Sequence, residues 1–156
     1  MNDAEYLREA IELARRGMQQ RSGGPFGALI VREGKVLARA CNAVTSHCDP
    51  TAHAEIQAIR AACASLRDHR LLGAVLYCSC EPCPMCLGAI HWAHLSRVCF
   101  AATREDAAAI GFDDARLYAE MSKPLAQRSI PMQMMLREEG IAMMRAWNSL
   151  SERIDY

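Results

Sequence analysis

This 156-residue sequence lacks any excess of charge of one sign. Eighteen basic residues balance eighteen acidic ones and neither sign forms a long block, so binding to nucleic acid or to an anionic membrane is disfavoured. No apolar stretch approaches the roughly 20 residues that cross a bilayer. Residues 1–17 carry charges throughout and lack the apolar core of a secretory signal. These absences predict a cytoplasmic protein without a nucleic-acid or membrane partner.

The sequence also lacks the disulfide framework that stabilises short secreted domains. A chain of this length can bury a core without disulfides. Three of its eight cysteines, Cys80, Cys83 and Cys86, lie close together, and the others are scattered through apolar or mixed segments. A metal site together with buried free thiols explains this distribution better than a set of disulfides.

Hydrophobic periodicity predicts four main helices. The first is expected from Asp3, as its cap, to about Gln20, with an apolar stripe of Leu7, Ala10, Ile11, Ala14 and Met18. The others are expected over residues 52–66, 84–92 and 137–150, and residues 104–129 are expected to form loops and short helices.

Short apolar runs bounded by turn residues predict five strands. They are expected over residues 26–31, 35–40, 74–79, 97–103 and 130–136, with a hairpin turn between the first two. Strands that alternate with helices indicate an α/β domain with helices on both faces of one sheet. No linker or internal repeat divides the chain, so residues 1–156 are expected to form a single domain.

The segment DPTAHAEIQAIR places His53 and Glu55 where the second long helix begins. Neutral imidazole is a good metal ligand. Residues two positions apart on a helix do not share one face, so Glu55 is expected to point beside a metal bound by His53. Alone, this pair is weak evidence of function, because a solvated helix start, where the helix dipole favours an acidic residue, is the simpler explanation.

The segment SCEPCPMCLGAI strengthens the metal interpretation. Pro84 suits the first turn of a helix, which places Cys83 and Cys86 at a helix start where the dipole favours thiolate. Two thiolates at this spacing can bind one tetrahedral ion. We expect His53, Cys83 and Cys86 to hold one zinc ion per chain and to leave its fourth position open.

Cys80 and Cys78 provide a competing ligand set. If both bound the metal with Cys83 and Cys86, the zinc site would be closed and structural, and the protein would be an interaction module rather than an enzyme. In the preferred interpretation Cys80 lies beneath the site.

An H-x-E motif followed by P-C-x-x-C is the signature of zinc-dependent nucleobase deaminases. Zinc with three protein ligands makes hydroxide available at neutral pH. In such enzymes hydroxide attacks the amino-bearing ring carbon, and we expect Glu55 to take a proton and to pass it to a ring nitrogen and then to the departing amine. One residue of the first motif therefore holds the metal and its neighbour moves protons.

With these motifs in place, the sequence resembles the cytidine deaminase superfamily and, within it, the bacterial guanine deaminases. The resemblance runs through GGPFGALIV, DPTAHAEIQAIR, SCEPCPMCLGAIHWA and GFDD to the final tyrosine. It implies a three-layer α/β/α fold around a five-stranded mixed sheet, and hydrolysis of guanine to xanthine and ammonia in purine catabolism. It also implies a homodimer in which the segment at about 137–156 closes the active site, in some members by exchange between subunits.

The resemblance also implies roles in substrate binding for five residues. Phe26 would stack on the purine, Asn42 would hydrogen-bond its edge, Trp92 would line the pocket, Asp114 would accept hydrogen bonds from the base, and Tyr156 would act on the lid. From local sequence alone, each residue has a structural alternative: core packing for Phe26 and Trp92, turn formation for Asn42, helix capping for Asp114 and a disordered terminus for Tyr156.

Three other functions remain open at this point. A tRNA adenosine deaminase would share the fold and the zinc motif, although the balanced charge disfavours an RNA substrate. A second enzyme would act on cytosine, a nucleoside or an aminotriazine. The third is the structural zinc module. His91, next to Trp92, receives no role from the resemblance.

Overall fold

The computed structural model describes residues 1–154 and has two compact units. The first unit, Met1–Asp114, contains the sheet. Its elements are α1 (Asp3–Gln19), β1 (Gly27–Arg32), β2 (Lys35–Cys41), α2 (Val44–His47), α3 (Ala54–Leu66), β3 (Val75–Cys80), α4 (Pro84–Trp92), β4 (Arg97–Ala102) and α5 (Arg104–Ala109). The predicted order of strands and helices is confirmed in this unit, and α2 is a short helix in the segment between the second predicted strand and the second predicted helix.

The sheet has the strand order β2-β1-β3-β4. β1 pairs antiparallel with both β2 and β3, and β3 pairs parallel with β4, so the sheet is mixed. The β1–β2 hairpin turns at Glu33 and Gly34, with φ of 51° and 75°. Two consecutive positive φ values are typical of the tight hairpin turn whose twist matches the strands, which explains why glycine stands there.

Alternate side chains of the strands face two separate cores. Ala28 and Ile30 of β1, with Leu76 of β3, pack in a cluster with α3 and α4. Leu29 and Val31 of β1 pack on the other face in a cluster with α1. Because successive strand residues point to opposite faces, this pattern places α1 on one side of the sheet and α3 and α4 on the other. Helices on both faces were predicted.

Two details of α1 correct the sequence prediction. Its cap is Asn2, whose side-chain oxygen accepts from the Glu5 amide while the Glu5 carboxylate accepts from the Asn2 amide. This reciprocal pair satisfies two unpaired amides and starts the helix at Asp3. The buried face also differs from the predicted stripe and consists of Tyr6, Ala10, Ala14 and Gly17. Small residues dominate this face because α1 lies close against the backbone of β1.

The second unit begins at Ala115 and contains α6 (Ala115–Ser122), a 3-10 turn (Leu125–Gln127) and α7 (Arg137–Asn148). The predicted fifth strand, residues 130–136, is wrong, and the sheet described here has four strands. Its alternating apolar side chains suggested a strand, but a strand also needs a hydrogen-bonded neighbour, and Pro131 lacks an amide donor. Ile130, Met132 and Met134 are instead exposed.

Among the described residues, no helix combines the length and the apolar character that crossing a bilayer requires. The cytoplasmic location stays a prediction.

We expect Gly27→Ala to lower the free energy of unfolding by more than about 2 kcal/mol, because overpacking at a site that cannot relax forces the backbone to move. A Cβ at Gly27 would lie 2.3 Å from the carbonyl oxygen of Ala10 and 2.5 Å from the amide nitrogen of Ala14. These are backbone atoms of α1, so no flexible side chain can make room. Thermal and denaturant unfolding measure the effect.

The matched control is Gly88→Ala, in the exposed face of α4, where an added Cβ meets nothing within 4 Å. Replacing a glycine inside a helix by alanine stabilises it by up to about 1 kcal/mol. Equal unfolding midpoints for the two variants would show that α1 does not depend on close approach to β1.

Candidate metal and catalytic site

The starts of two helices form the site. His53 is the N-cap of α3, and Cys83 is the N-cap of α4, with Pro84 as the first helical residue. Cys86 is buried in the first turn of α4. Because α3 and α4 pack against each other on the same face of the sheet, their N-termini bring these three side chains together.

The three donor atoms form a nearly equilateral triangle. His53 Nδ1 lies 3.6 Å from Cys83 Sγ and 3.5 Å from Cys86 Sγ, and the two sulfurs are 3.6 Å apart. Tetrahedral zinc, with bonds of about 2.3 Å to sulfur and about 2.0 Å to nitrogen, places its ligand atoms roughly 3.5–3.8 Å apart. The triangle therefore fits three corners of a zinc tetrahedron, and within residues 1–154 these three residues are the group that could hold a metal ion.

The protonation of Cys83 also suits a cation. Hydrogen bonding with Cys86 and with His53 lowers the pKa of Cys83 to about 4, although burial opposes this change. The same pairing and burial raise the pKa of Cys86. The pair thus favours a thiolate at Cys83, which is the form that binds metal.

Glu55 lies in the first turn of α3 and is only 7% exposed. Its carboxyl interacts with Cys86 but does not belong to the group of potential metal ligands. Burial raises the pKa of Glu55 above its usual value. A carboxyl that is buried beside potential metal ligands, and whose charged form is disfavoured, suits a group that must alternately accept and release a proton.

The neighbouring cysteines use their thiols elsewhere. Cys78 Sγ donates to the carbonyl of Cys99 and Cys80 Sγ to the carbonyl of Thr103, at 3.6 and 3.5 Å. Burial raises the pKa of Cys78 and raises that of Cys80 to about 11, so both favour the neutral thiol. This arrangement speaks against the closed four-cysteine site.

Asn42 lies immediately after β2 and is 4% exposed. Its side-chain oxygen accepts from the amides of Gly24 and Val44, at 3.1 and 3.2 Å. A carbonyl oxygen has two lone pairs, so both are used. The loop before β1 must approach closely for this contact, since a Cβ at Gly23 would lie 2.0 Å from that oxygen. Asn42 therefore has only its amide nitrogen, a donor, to offer a ligand.

Phe26 is partly buried and meets Phe112 edge to face, with ring centroids 4.9 Å apart. Asp114 follows two residues later, and its pKa is raised by burial and then by the negative charge of Cys83. Asp114 therefore lies near enough to Cys83, one of the three potential metal ligands, to interact with its charge. Phe112 was not singled out from the sequence, although its position in the segment GFDD carried the signal.

The structure does not bring Trp92 to the cluster. It lies about two and a half helical turns beyond Cys83, at the opposite end of α4, and is 66% exposed in the single chain. Its role in the pocket stays a prediction. Tyr156, expected to act on the lid, lies outside the described residues.

Comparison with known proteins places this geometry among zinc-binding deaminases. Residues 1–102 match the cytidine and deoxycytidylate deaminase zinc-binding region. The chain is 46% identical to guanine deaminase of Bacillus subtilis over 156 residues, which are 100% of both proteins. The X-ray structure of that enzyme matches with a TM-score of 0.97 over 100% of this chain and 99% of the other.

More distant relatives differ in how much of the chain they match. A tRNA-specific adenosine deaminase of Agrobacterium fabrum is 40% identical over 102 residues, which cover 65% of this chain and 67% of that protein. A solved structure in complex with 2,6-diaminopurine is 30% identical, with a TM-score of 0.68 over 99% of this chain and 86% of the other. Together with the zinc-binding geometry, these matches establish that the chain belongs to the cytidine and deoxycytidylate deaminase family of zinc-dependent enzymes.

Proposed function

We propose that this protein hydrolyses guanine to xanthine and ammonia. The observation that carries the proposal is the match to the guanine deaminase of Bacillus subtilis along the whole chain, together with a histidine–cysteine cluster that has a buried carboxyl beside it. The tRNA-specific adenosine deaminase, by contrast, matches only 65% of the chain. The absence of net positive charge also gives no electrostatic reason to favour an RNA substrate.

His53, Cys83 and Cys86 would hold zinc, which when bound activates water at neutral pH. Glu55 takes a proton from the attacking water as the water oxygen bonds to the amino-bearing carbon of guanine. It delivers that proton to the adjacent ring nitrogen. It then takes the second proton from the hydroxyl now bonded to carbon and passes it to the amine, which departs as ammonia while the C=O bond of xanthine forms. Its burial beside the cluster keeps this proton from exchanging freely with solvent.

The remaining site residues would select and orient the base. Phe26 and Phe112 offer aromatic surface for a purine ring. The Asn42 amide would donate to a purine acceptor, because its oxygen already serves the backbone. Asp114 would accept hydrogen bonds from the base. A purine ligand is also present in a relative, the one in complex with 2,6-diaminopurine.

We also propose a homodimer in which residues 137–156 close the active site, with Trp92 and Tyr156 completing it. Within the second unit, α6 and α7 bury none of their described residues. Apolar side chains such as Met134, Met143 and Trp147 are exposed in the single chain. Exposed apolar surface on this scale favours association with a second subunit.

Variants of the site separate metal binding from proton transfer. We expect His53→Ala to lose zinc, because the variant has only two of the three protein ligands. Glu55→Gln should keep zinc while ammonia release falls by about a hundredfold to ten-thousandfold, as expected when a general acid–base group is lost. Metal analysis by mass spectrometry and an ammonia assay measure the two effects. Normal turnover by a zinc-loaded Glu55→Gln protein would contradict the proposed mechanism.

Cys80→Ser is the matched control for the ligand assignment. It should keep zinc, because the Cys80 thiol bonds to a backbone carbonyl and a hydroxyl can replace it. Loss of zinc from this variant would instead support the closed structural site.

A substrate panel tests the choice of base. Guanine, guanosine, cytosine, cytidine, adenine, an aminotriazine and a short tRNA stem-loop are each incubated with the zinc-loaded protein, and ammonia release is followed. We expect guanine to have the highest kcat/KM. If only the RNA reacts, the substrate assignment is wrong while the zinc chemistry stands.

Subunit complementation tests the proposed lid. Glu55→Gln and Tyr156→Ala chains, each impaired alone, are produced together, and mixed dimers are isolated by two different affinity tags. If each lid closes the partner's site, a mixed dimer has one intact site, and the unfractionated mixture regains roughly a quarter of normal activity. Absence of recovery in isolated mixed dimers would contradict exchange of the lid.

A further inference from the structure

Three hydrogen bonds join Cys80 and Glu81, which lead from β3 into the loop that carries Cys83, to residues 102–104, where β4 leads into α5. The amide of Glu81 donates to the carbonyl of Ala102 at 2.9 Å, and Cys80 Sγ donates to the carbonyl of Thr103. The third bond comes from the Glu81 side chain, whose Oε2 accepts from the amide of Arg104 at 3.1 Å. Glu81 is the one side chain of this loop that reaches forward to α5 with a carboxylate, and the proposed chemistry gives it no role.

Arg104 is the first residue of α5, so Glu81 supplies a partner for one of the amides that a helix start leaves free. Thr103 and Asp106 satisfy others through a reciprocal capping box. A helix of six residues is too short to be stable alone, so its position depends on such contacts. Glu81 therefore links the first turn of α5 to residues 81–83, the loop that carries Cys83 and is called the zinc loop below.

The other end of α5 leads back to the site. The chain turns at Gly111, with φ of 95°, and the amide of Phe112 donates to the carbonyl of Ala107 at 3.0 Å. Phe112 then packs on Phe26, and Asp114 interacts electrostatically with Cys83, Arg104 and Glu81. α5 thus connects the zinc loop to the two residues that would contact the base.

We propose that Glu81 is a positioning residue: by accepting the Arg104 amide, its carboxylate fixes α5 and so sets Phe112 and Asp114 relative to the zinc loop. The inference rests on the proposed function, because Phe112 and Asp114 are taken to contact the base. Loosening this bond affects how the base is held, and leaves the metal ligands and Glu55 in place.

The first test compares Glu81→Ala with Glu81→Gln. The Gln carbonyl can still accept from the Arg104 amide, whereas Ala cannot. We expect the KM for guanine to rise about tenfold in Glu81→Ala, the size of effect that follows loss of one hydrogen bond to a charged group. The kcat and zinc content should stay near normal, and Glu81→Gln should restore most of the KM. Glu105→Ala removes a negative charge from the same turn of α5 without touching the Arg104 amide and should change neither constant.

The second test removes the donor, the Arg104 amide hydrogen, and keeps Glu81. It therefore tests the same hydrogen bond even if the Glu81 variants misfold. Proline is tolerated at the first position of a helix and lacks the amide hydrogen. The preceding Thr103 is extended, with ψ of 169°, the conformation that a following proline requires. Arg104→Pro and Arg104→Ala both lose the guanidinium, so the difference in KM between them reports the amide alone. We expect the KM to be about tenfold higher in Arg104→Pro, and Glu81→Ala to have no further effect when added to it.

Three results would overturn the proposal: equal KM for Glu81→Gln and Glu81→Ala, loss of zinc from Glu81→Ala, or equal KM for the two Arg104 variants. The first result would show that any change in KM comes from the charge of Glu81 and not from its hydrogen bond. The second would show that Glu81 is needed for zinc binding. If the wild-type protein prefers another base in the substrate panel, the same comparison is made with that base. Failure of the guanine assignment is thereby distinguished from failure of the positioning role.

Discussion

The site depends on bringing the starts of two helices so close that one imidazole and two sulfurs form a triangle with 3.5–3.6 Å sides. His53 caps α3 and Cys83 caps α4, so both ligands occupy positions whose backbone is fixed by the helix that follows. At a helix start the free amides and the dipole stabilise negative charge. The same geometry that positions the ligands therefore also favours the thiolate that a metal requires.

The sheet makes this convergence possible. Both helices lie on one face, packed on Ala28, Ile30 and Leu76 in a single apolar cluster. On the opposite face, α1 lies so close to β1 that Gly27 has no room for a side chain. The position of Glu55 follows from the same packing, because its turn of α3 is buried. A carboxyl held there is disfavoured as an anion, and this is useful for a group that moves protons.

Local sequence signals were sufficient for most of the first unit. α4 has the predicted bounds because Pro84 marks its first turn, and the hairpin forms at Glu33–Gly34 because glycine permits the turn. The spacing also predicted the three residues that the structure brings together as a group able to hold a metal ion. The strand expected at residues 130–136 failed, because alternation describes which faces are apolar and cannot supply a hydrogen-bonded neighbour. Phe112 and Glu81 were missed because their partners are distant in sequence or are backbone atoms.

The most direct measurement of the central claim is zinc-edge X-ray absorption spectroscopy of the purified holoenzyme, which counts the sulfur and light-atom neighbours of the metal. Coordination by His53, Cys83 and Cys86, with water in the fourth position, gives two sulfur neighbours at about 2.3 Å. It also gives two light-atom neighbours at about 2.0 Å, the imidazole nitrogen and the water oxygen. We expect that result, unchanged in Cys80→Ser. Three or four sulfur neighbours would contradict an open catalytic site at these two helix starts.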